Sequence, residues 1–481
     1  MTRPLALLAG LLLLLVGSIV VPAVVDPAPS GPPPVVPAQQ LVPATVPVPD
    51  VVTPLSASAP GPDPATLAMQ LGTALRLEGP GDFAGTVVDP SDGSVLFSRD
   101  AGRLQAPASN IKVFTAAAAL TYAEPGDRLT TSVLLSGARP GVLYLHGGGD
   151  VLLGAGDSAP DAVVGRAGLG TLAREAAEAL APGSGPYEVR LDDSLFVGPA
   201  LNPTWAQGDI DAGQIAPVHA LAVDPAGPGQ GWAGGPHSQD AALDAAGTFV
   251  AALTAAAAER GITIDTGSTG STSNTGVQRE SAPRDAALLA AVESAPLQDQ
   301  VRHMLEASDN YLAEALARIA ALGSGRPASF DGATQALTAV AASLGVPVEG
   351  LLIGDAAGLS VENAVSPEQL AALIRGITTS ADPSLAAVAR SLPIAGATGT
   401  LTERFSASES ASGSASAAGA GVVRAKTGTL NAVTALSGYT VTVDGRLLVF
   451  SFLAAGLDGN TAEARSAADG AAAVLSTCGC R

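Results

Sequence analysis

The chain has 481 residues, room for two to four domains, and 47% of them are hydrophobic, which excludes wholesale disorder. A formal net charge of −20 at pH 7 excludes nucleic acid as a partner, because phosphate neutralisation needs clustered Lys and Arg. Of the 24 Lys and Arg residues only two, Lys112 and Lys426, are lysine, so positive charge here is otherwise carried by arginine.

At the N-terminus, Arg3 precedes an apolar run over residues 5–25, which reads as an export signal. Val21-Pro22-Ala23 offers a small-residue cleavage site, yet the run is long enough to span a bilayer uncleaved. Residues 1–25 are therefore expected to be a signal peptide or membrane anchor. Membrane contact is expected only through residues 5–25, and the protein belongs in the cell envelope, secreted or anchored. Residues 26–64, rich in proline and lacking periodicity, read as an extended tether.

Two strands around an Asp-Pro-Ser-Asp-Gly turn are predicted over 82–100, then an alanine-rich helix over 109–123. Residues 136–285 mix short strands (141–148, 187–196) with helices (161–181, 239–261). Gly147-Gly148-Gly149-Asp150 lacks the spacing of a nucleotide loop and reads as a strand-end turn. From 286 the pattern is helical through 288–322. Residues 406–421 form a low-complexity surface insertion, residues 422–456 read as strands, and 460–477 as a closing helix. His146, His219, His237 and His303 are scattered, and Cys478 and Cys480 have no histidine nearby in sequence, so neither metal nor cofactor is expected. Trp205 and Asp209 could border a peptide pocket, although a structural Trp anchor is commoner.

Three short constellations carry chemistry. Ser109-Asn110-Ile111-Lys112 puts a hydroxyl and an amine three residues apart at a helix start, on one face and within hydrogen-bonding reach. Ser308-Asp309-Asn310 opens or interrupts a helix and offers a second hydroxyl and an amide. Lys426-Thr427-Gly428 ends a strand where glycine lets a substrate backbone approach. Each has an ordinary reading: an N-cap serine, a cap pair, a solvated strand-end charge. That both lysines of a two-lysine chain fall into S-x-x-K and K-T-G by accident is on the order of a one-in-a-thousand event. Lysine also differs from arginine in that a desolvated amine can lose its proton and act as a base.

In this order the motifs resemble the penicillin-interacting serine DD-peptidases, most closely the class C low-molecular-mass penicillin-binding proteins. The flanks "PASNIKVFTAAAAL", "SDNYLAEALAR", "SLPIAGATGTLTERF" and "AKTGTLNAVTALSGY" are similar to that family, and the long interval from Ser109 to Ser308 separates it from serine β-lactamases, whose segment is much shorter. The resemblance spans about residues 65–476. It implies an α/β (α+β) fold of the penicillin-binding-protein and β-lactamase type, an antiparallel sheet between helices. The discontinuous catalytic domain would comprise 65–135 and 286–481, with 136–285 as an inserted accessory region. It implies cleavage of the D-Ala-D-Ala bond of peptidoglycan stem peptides, as carboxypeptidase or endopeptidase, through an acyl-enzyme that β-lactam antibiotics trap. Ser109 would be the nucleophile and Lys112 its base, with Ser308, Asn310 and Lys426 assisting. Thr427, Gly428 and Thr429 would bind substrate, and the backbone N–H groups of Ser109 and Thr429 would form the oxyanion hole. Departures are "DAAGLSVEN", with Ala356, Ala357 and Val361 where the family has Gly, Ser and a basic residue, and Asp150-Val151 for Asp-Pro. Val361 bears on substrate preference. A serine β-lactamase and a catalytically idle peptidoglycan-binding protein are the rival readings.

Overall fold

A computed structural model describes residues 55, 58–223, 237–265, 276–405 and 416–479. The expected signal, all but the end of the tether, residues 406–415 of the low-complexity insertion and Cys480 lie outside the described residues.

Helix α1 (Pro64–Ala74) opens the described chain, capped by the Asp63 carboxylate on the Thr66 N–H at 2.8 Å, with Pro64 in its first turn. Strands β1 (Asp82–Val88) and β2 (Val95–Arg99) follow as a hairpin, and a 3₁₀ turn (Ala108–Asn110) leads directly into α2 (Ile111–Thr121). Next come β3 (Thr130–Leu135), β4 (Val142–Gly147), α3 (Leu169–Ala179), β5 (Tyr187–Asp192), the short α4 (Gln207–Asp211), α5 (Ala241–Ala258), β6 (Ile264–Asp265), β7 (Gln278–Arg279) and β8 (Ala287–Glu293). A run of helices continues the chain: α6 (Leu297–Ala307), α7 (Asn310–Gly323), α8 (Phe330–Ser343), α9 (Pro367–Thr379) and α10 (Pro383–Ser391). Three strands, β9 (Arg424–Leu430), β10 (Val433–Val441) and β11 (Leu447–Ala455), and helix α11 (Thr461–Thr477) close it.

The first sheet is antiparallel, ordered β2-β1-β11-β10-β9. Its centre, β11, is a nearly unbroken apolar run because both faces are covered. Leu448, Phe450, Phe452 and Ala454 face a core shared with α1 and α11, while Val449 and Leu453 face the helical body. At the heart of that body is α2, buried from Ile111 to Leu120, whose alanines let α6, α7, α8 and α10 close around it.

The second sheet is mixed, ordered β6-β5-β4-β3-β8 with β7 also beside β5, and α3 and α5 pack on it. Two expectations shift here. Residues 288–293 are not helical: they belong to β8, in which Ala290 and Val292 alternate inward while Leu288 is 63% exposed. An Ala- and Leu-rich strand is hard to tell from a helix by composition, and pairing with β3 decides it. With β3 paired to both β4 and the edge strand β8, the strands of this sheet span Thr130 to Glu293, wider than the 136–285 expected for an inserted region. The helix expected over 161–181 begins only at Leu169, since Gly165 takes a left-handed φ of 74° and Gly168 a β conformation. The GGGD stretch is a strand-end turn, with Gly149 at φ 100°.

Part of the chain between β5 and α5 packs away from the second sheet. Trp205, Ile210, Ile215 and Val218 join the core of the helical body, not that of the second sheet. Tyr311 ties them down, its hydroxyl accepting the His219 N–H at 3.0 Å and donating to the Pro217 carbonyl at 3.1 Å.

Candidate active site

Ser109 sits in the 3₁₀ turn at the head of α2, just after Ala108, a non-glycine residue held at φ 48°. Such a conformation costs about 1–3 kcal/mol and persists where the surroundings over-determine it. Two neighbours do so. Gly358 presses its backbone against this turn so closely that a Cβ there would lie 2.1 Å from the Ala108 oxygen, and Gly428 would place one 2.9 Å from the Pro107 oxygen and 2.8 Å from Asn110 Nδ2.

One helical turn on, Lys112 is completely buried. Its Nζ donates to Ser109 Oγ at 3.1 Å, Asn310 Oδ1 at 2.6 Å and the Ala357 carbonyl at 2.6 Å. Burial pulls the amine down to about 8, opposed by the negative charges of Asp355, Asp309 and Glu314. Ser308 ends α6 in a left-handed conformation (φ 56°), and the Asp309 carboxylate caps α7 through the Leu312 N–H, so the break between the helices aims Ser308 and Asn310 at the cleft. The Lys426 amine donates to Ser308 Oγ and to the Thr427 carbonyl, both at 3.0 Å. It is held well below its ordinary value by burial, then by the positive charges of Lys112 and Arg404.

Ser109, Ser308, Asn310, Thr427, Gly428 and Thr429 all line one cleft of about 1210 Å³. The three constellations thus converge from α2, the α6–α7 break and β9. Asn310 has both ends engaged, because its Nδ2 donates to the Gln214 carbonyl at 2.8 Å; the second Nδ2 hydrogen is not used by that bond. Thr400, not singled out in the sequence, also lines the cleft and shares a 2.8 Å hydroxyl contact with Thr427. Nearby, the buried Arg404 is paired with Asp469 of α11, Nε to Oδ2 at 2.9 Å.

The stretch around α4 supplies one wall through Asp209 and Gln214, and Asp209 is the one charged side chain among the described residues lining the cleft; partial burial raises its carboxyl. Trp205 is instead a structural anchor, buried edge-on to Phe330 with its Nε1 donating to Asp355 Oδ2 at 2.9 Å. Val361 lies on the cleft rim, 76% exposed. Sequence reasoning also missed Asp355, whose buried carboxylate accepts the N–H groups of Gly358, Leu359 and Ser360, each at 2.8 Å, and so shapes the "DAAGLS" segment beside Ser109.

Comparison with known proteins agrees with this geometry. The chain is 34% identical over 437 residues to a carboxypeptidase DacB of Mycolicibacterium smegmatis, covering 89% of this chain and 88% of that one. It is 30% identical over 423 residues to a D-alanyl-D-alanine carboxypeptidase of Actinomadura sp., covering 75% of each. Among solved structures, penicillin binding protein 4 of Haemophilus influenzae has the same fold, with a TM-score of 0.62 and 21% identity over 81% of this chain and 93% of that one. Fold and relatives define a serine DD-peptidase, a class C low-molecular-mass penicillin-binding protein. The match to the D-Ala-D-Ala carboxypeptidase 3 (S13) family runs over residues 67–230 and 236–477, and the chain belongs to that family.

Proposed function

We propose that this DD-peptidase works through Ser109 as nucleophile and Lys112 as its base, on peptidoglycan stem peptides ending in D-Ala-D-Ala. The observation that carries the assignment is the Lys112 amine, buried and drawn down toward neutrality, 3.1 Å from Ser109 Oγ. Ser109 Oγ attacks the carbonyl between the two D-alanines while its proton passes to Lys112 Nζ. Backbone N–H groups of Ser109 and Thr429 receive the negative charge developing on the carbonyl oxygen. As the C–N bond breaks, Ser308 gives its proton to the leaving amine and is resupplied through Lys426. D-alanine leaves, and water hydrolyses the Ser109 ester. Thr427 and Thr429 hold the terminal carboxylate beside the Lys426 charge, and Asn310 holds Lys112 in line. A β-lactam acylates the same serine and leaves slowly.

On this reading residues 1–25 carry the chain out of the cytoplasm and 26–64 space it from its anchor or export site. The residues around the first sheet and helical body form the catalytic domain. Those of 130–293 form an accessory region whose Asp209 and Gln214 govern access to the cleft. The test is a fluorescent penicillin followed by peptide mapping: one label per chain, on Ser109, is expected. Steady consumption of many equivalents of penicillin would make the protein a β-lactamase instead, and no label at all would leave it an idle binding protein.

A further inference from the structure

Behind Lys112 lies a second layer of buried charge that the reaction above does not use. Asn310, Glu314 and Arg318 recur every four residues along α7 and so share one face of that helix. Glu314 is fully buried, and its Oε1 accepts the N–H groups of Ala356 at 2.7 Å and Ala357 at 3.0 Å. The carbonyls of the same two residues complete the contact with α2: that of Ala356 accepts the Thr115 hydroxyl at 2.8 Å and that of Ala357 the Lys112 amine at 2.6 Å. Glu314 Oε2 is buried with no hydrogen-bond partner. A glutamine carbonyl could accept both N–H groups equally well, so hydrogen bonding alone gives no reason for an acid at this costly position. What the acid adds is charge.

We propose that Glu314 is a positioning residue for acylation, one that locks the Ala357 carbonyl onto the Lys112 amine and balances the amine's positive charge from behind the site. The inference rests on the roles of Ser109 and Lys112 given above. Other charges meet there. Asp355 and Asp309 act on Lys112 from the loop and from the head of α7, Lys426 lies across the cleft wall on β9, and Arg318 faces Glu314 from one turn along. The Arg318 guanidinium is itself held over the rings of Phe330 and Phe196, centred 4.3 and 5.2 Å away. Burial raises the Glu314 carboxyl to about 8, with Asp355 adding to the rise, so it ionises over the range in which Lys112 loses its proton. An ionised Glu314 favours the ammonium, and its neutral replacement frees the amine at lower pH.

The experiment compares full-length wild type and Glu314→Gln for their second-order rate of acylation by a fluorescent penicillin from acid to alkaline pH, with melting curves as a check on folding. Below about pH 8 the wild-type carboxyl is itself largely protonated, so Glu314→Gln is expected to match wild type there and to bring the midpoint of the rise down by about half a pH unit, where the wild-type carboxyl ionises. A profile that superimposes on wild type would overturn the inference and leave Glu314 a hydrogen-bond acceptor only. Should Glu314→Gln not fold, Glu314→Asp decides: it keeps the charge but withdraws it from Ala356 and Ala357. The limb is then expected to stay in place with the maximal rate down about tenfold, and an unchanged maximum would refute the role. A wild type that takes no label at all refutes the underlying assignment of Ser109 and Lys112, an outcome distinct from an unchanged Glu314→Gln profile.

Discussion

Replacing Lys112 by arginine keeps a positive charge on a side chain of similar length and removes only the ability to lose a proton. With the amine at about 8, roughly one chain in ten carries a neutral Lys112 at pH 7. A guanidinium with a value above about 12 is neutral in fewer than about one chain in 10⁵. The supply of base thus falls by about 10⁴, which is also the upper end of what general-base catalysis contributes, about 10²- to 10⁴-fold. Lys112→Arg should therefore acylate at least about 10²-fold more slowly with both penicillin and peptide. Because the site is completely buried and already offers three acceptors, the bulkier head needs a check: an unchanged melting transition must accompany the loss. The assay is stopped-flow labelling with a fluorescent penicillin at pH 7. Labelling of Lys112→Arg at the wild-type rate would show that titration of this side chain is irrelevant to acylation.

Wild-type acylation should itself rise toward a plateau as pH passes about 8, because a lysine held below its ordinary value becomes a free base there; a flat rate through that range would remove Lys112 as the base. Gly428→Ala would put a methyl 2.8–3.0 Å from Asn110 Nδ2, the Pro107 oxygen and Ala108 Cβ, pushing β9 off the turn that carries Ser109. It should cost about 1–3 kcal/mol in a denaturant melt and slow penicillin labelling far more than that loss of stability explains. Asp469→Ala leaves the Arg404 guanidinium buried and unpaired, and a chemical melt should show a loss of about 3–5 kcal/mol. An unaffected melt would mean that water already serves Arg404.

The residues that converge on the cleft were legible because the chemistry proposed for them is restrictive. An amine that must shed a proton cannot be arginine, so Lys112 and Lys426 stood out in an arginine-using chain, and the spacing to Ser109 and Gly428 did the rest. The two-sided burial of β11 could also be read, since it writes itself as a continuous apolar run. What failed was decided by tertiary pairing. Residues 288–293 have a helix former's composition and became a strand only because β3 offers an edge. The supports of the site were invisible for another reason. Glu314 and Asp355 look in sequence like surface acids, and only the fold turns them inward onto backbone N–H groups of residues 356–360. Gln214 acts through its carbonyl, which no side-chain pattern reports.

If Ser109 cleaves a D-Ala-D-Ala bond through an ester, free D-alanine is the first product released. Wild type and Ser109→Ala would be incubated with a stem pentapeptide ending in D-Ala-D-Ala, and free D-alanine and the shortened peptide measured by mass spectrometry. Wild type is expected to release one D-alanine per peptide, with release abolished by prior treatment with penicillin, and Ser109→Ala to release none above the uncatalysed background. Equal release by both proteins, or none from a folded wild type, would contradict the account.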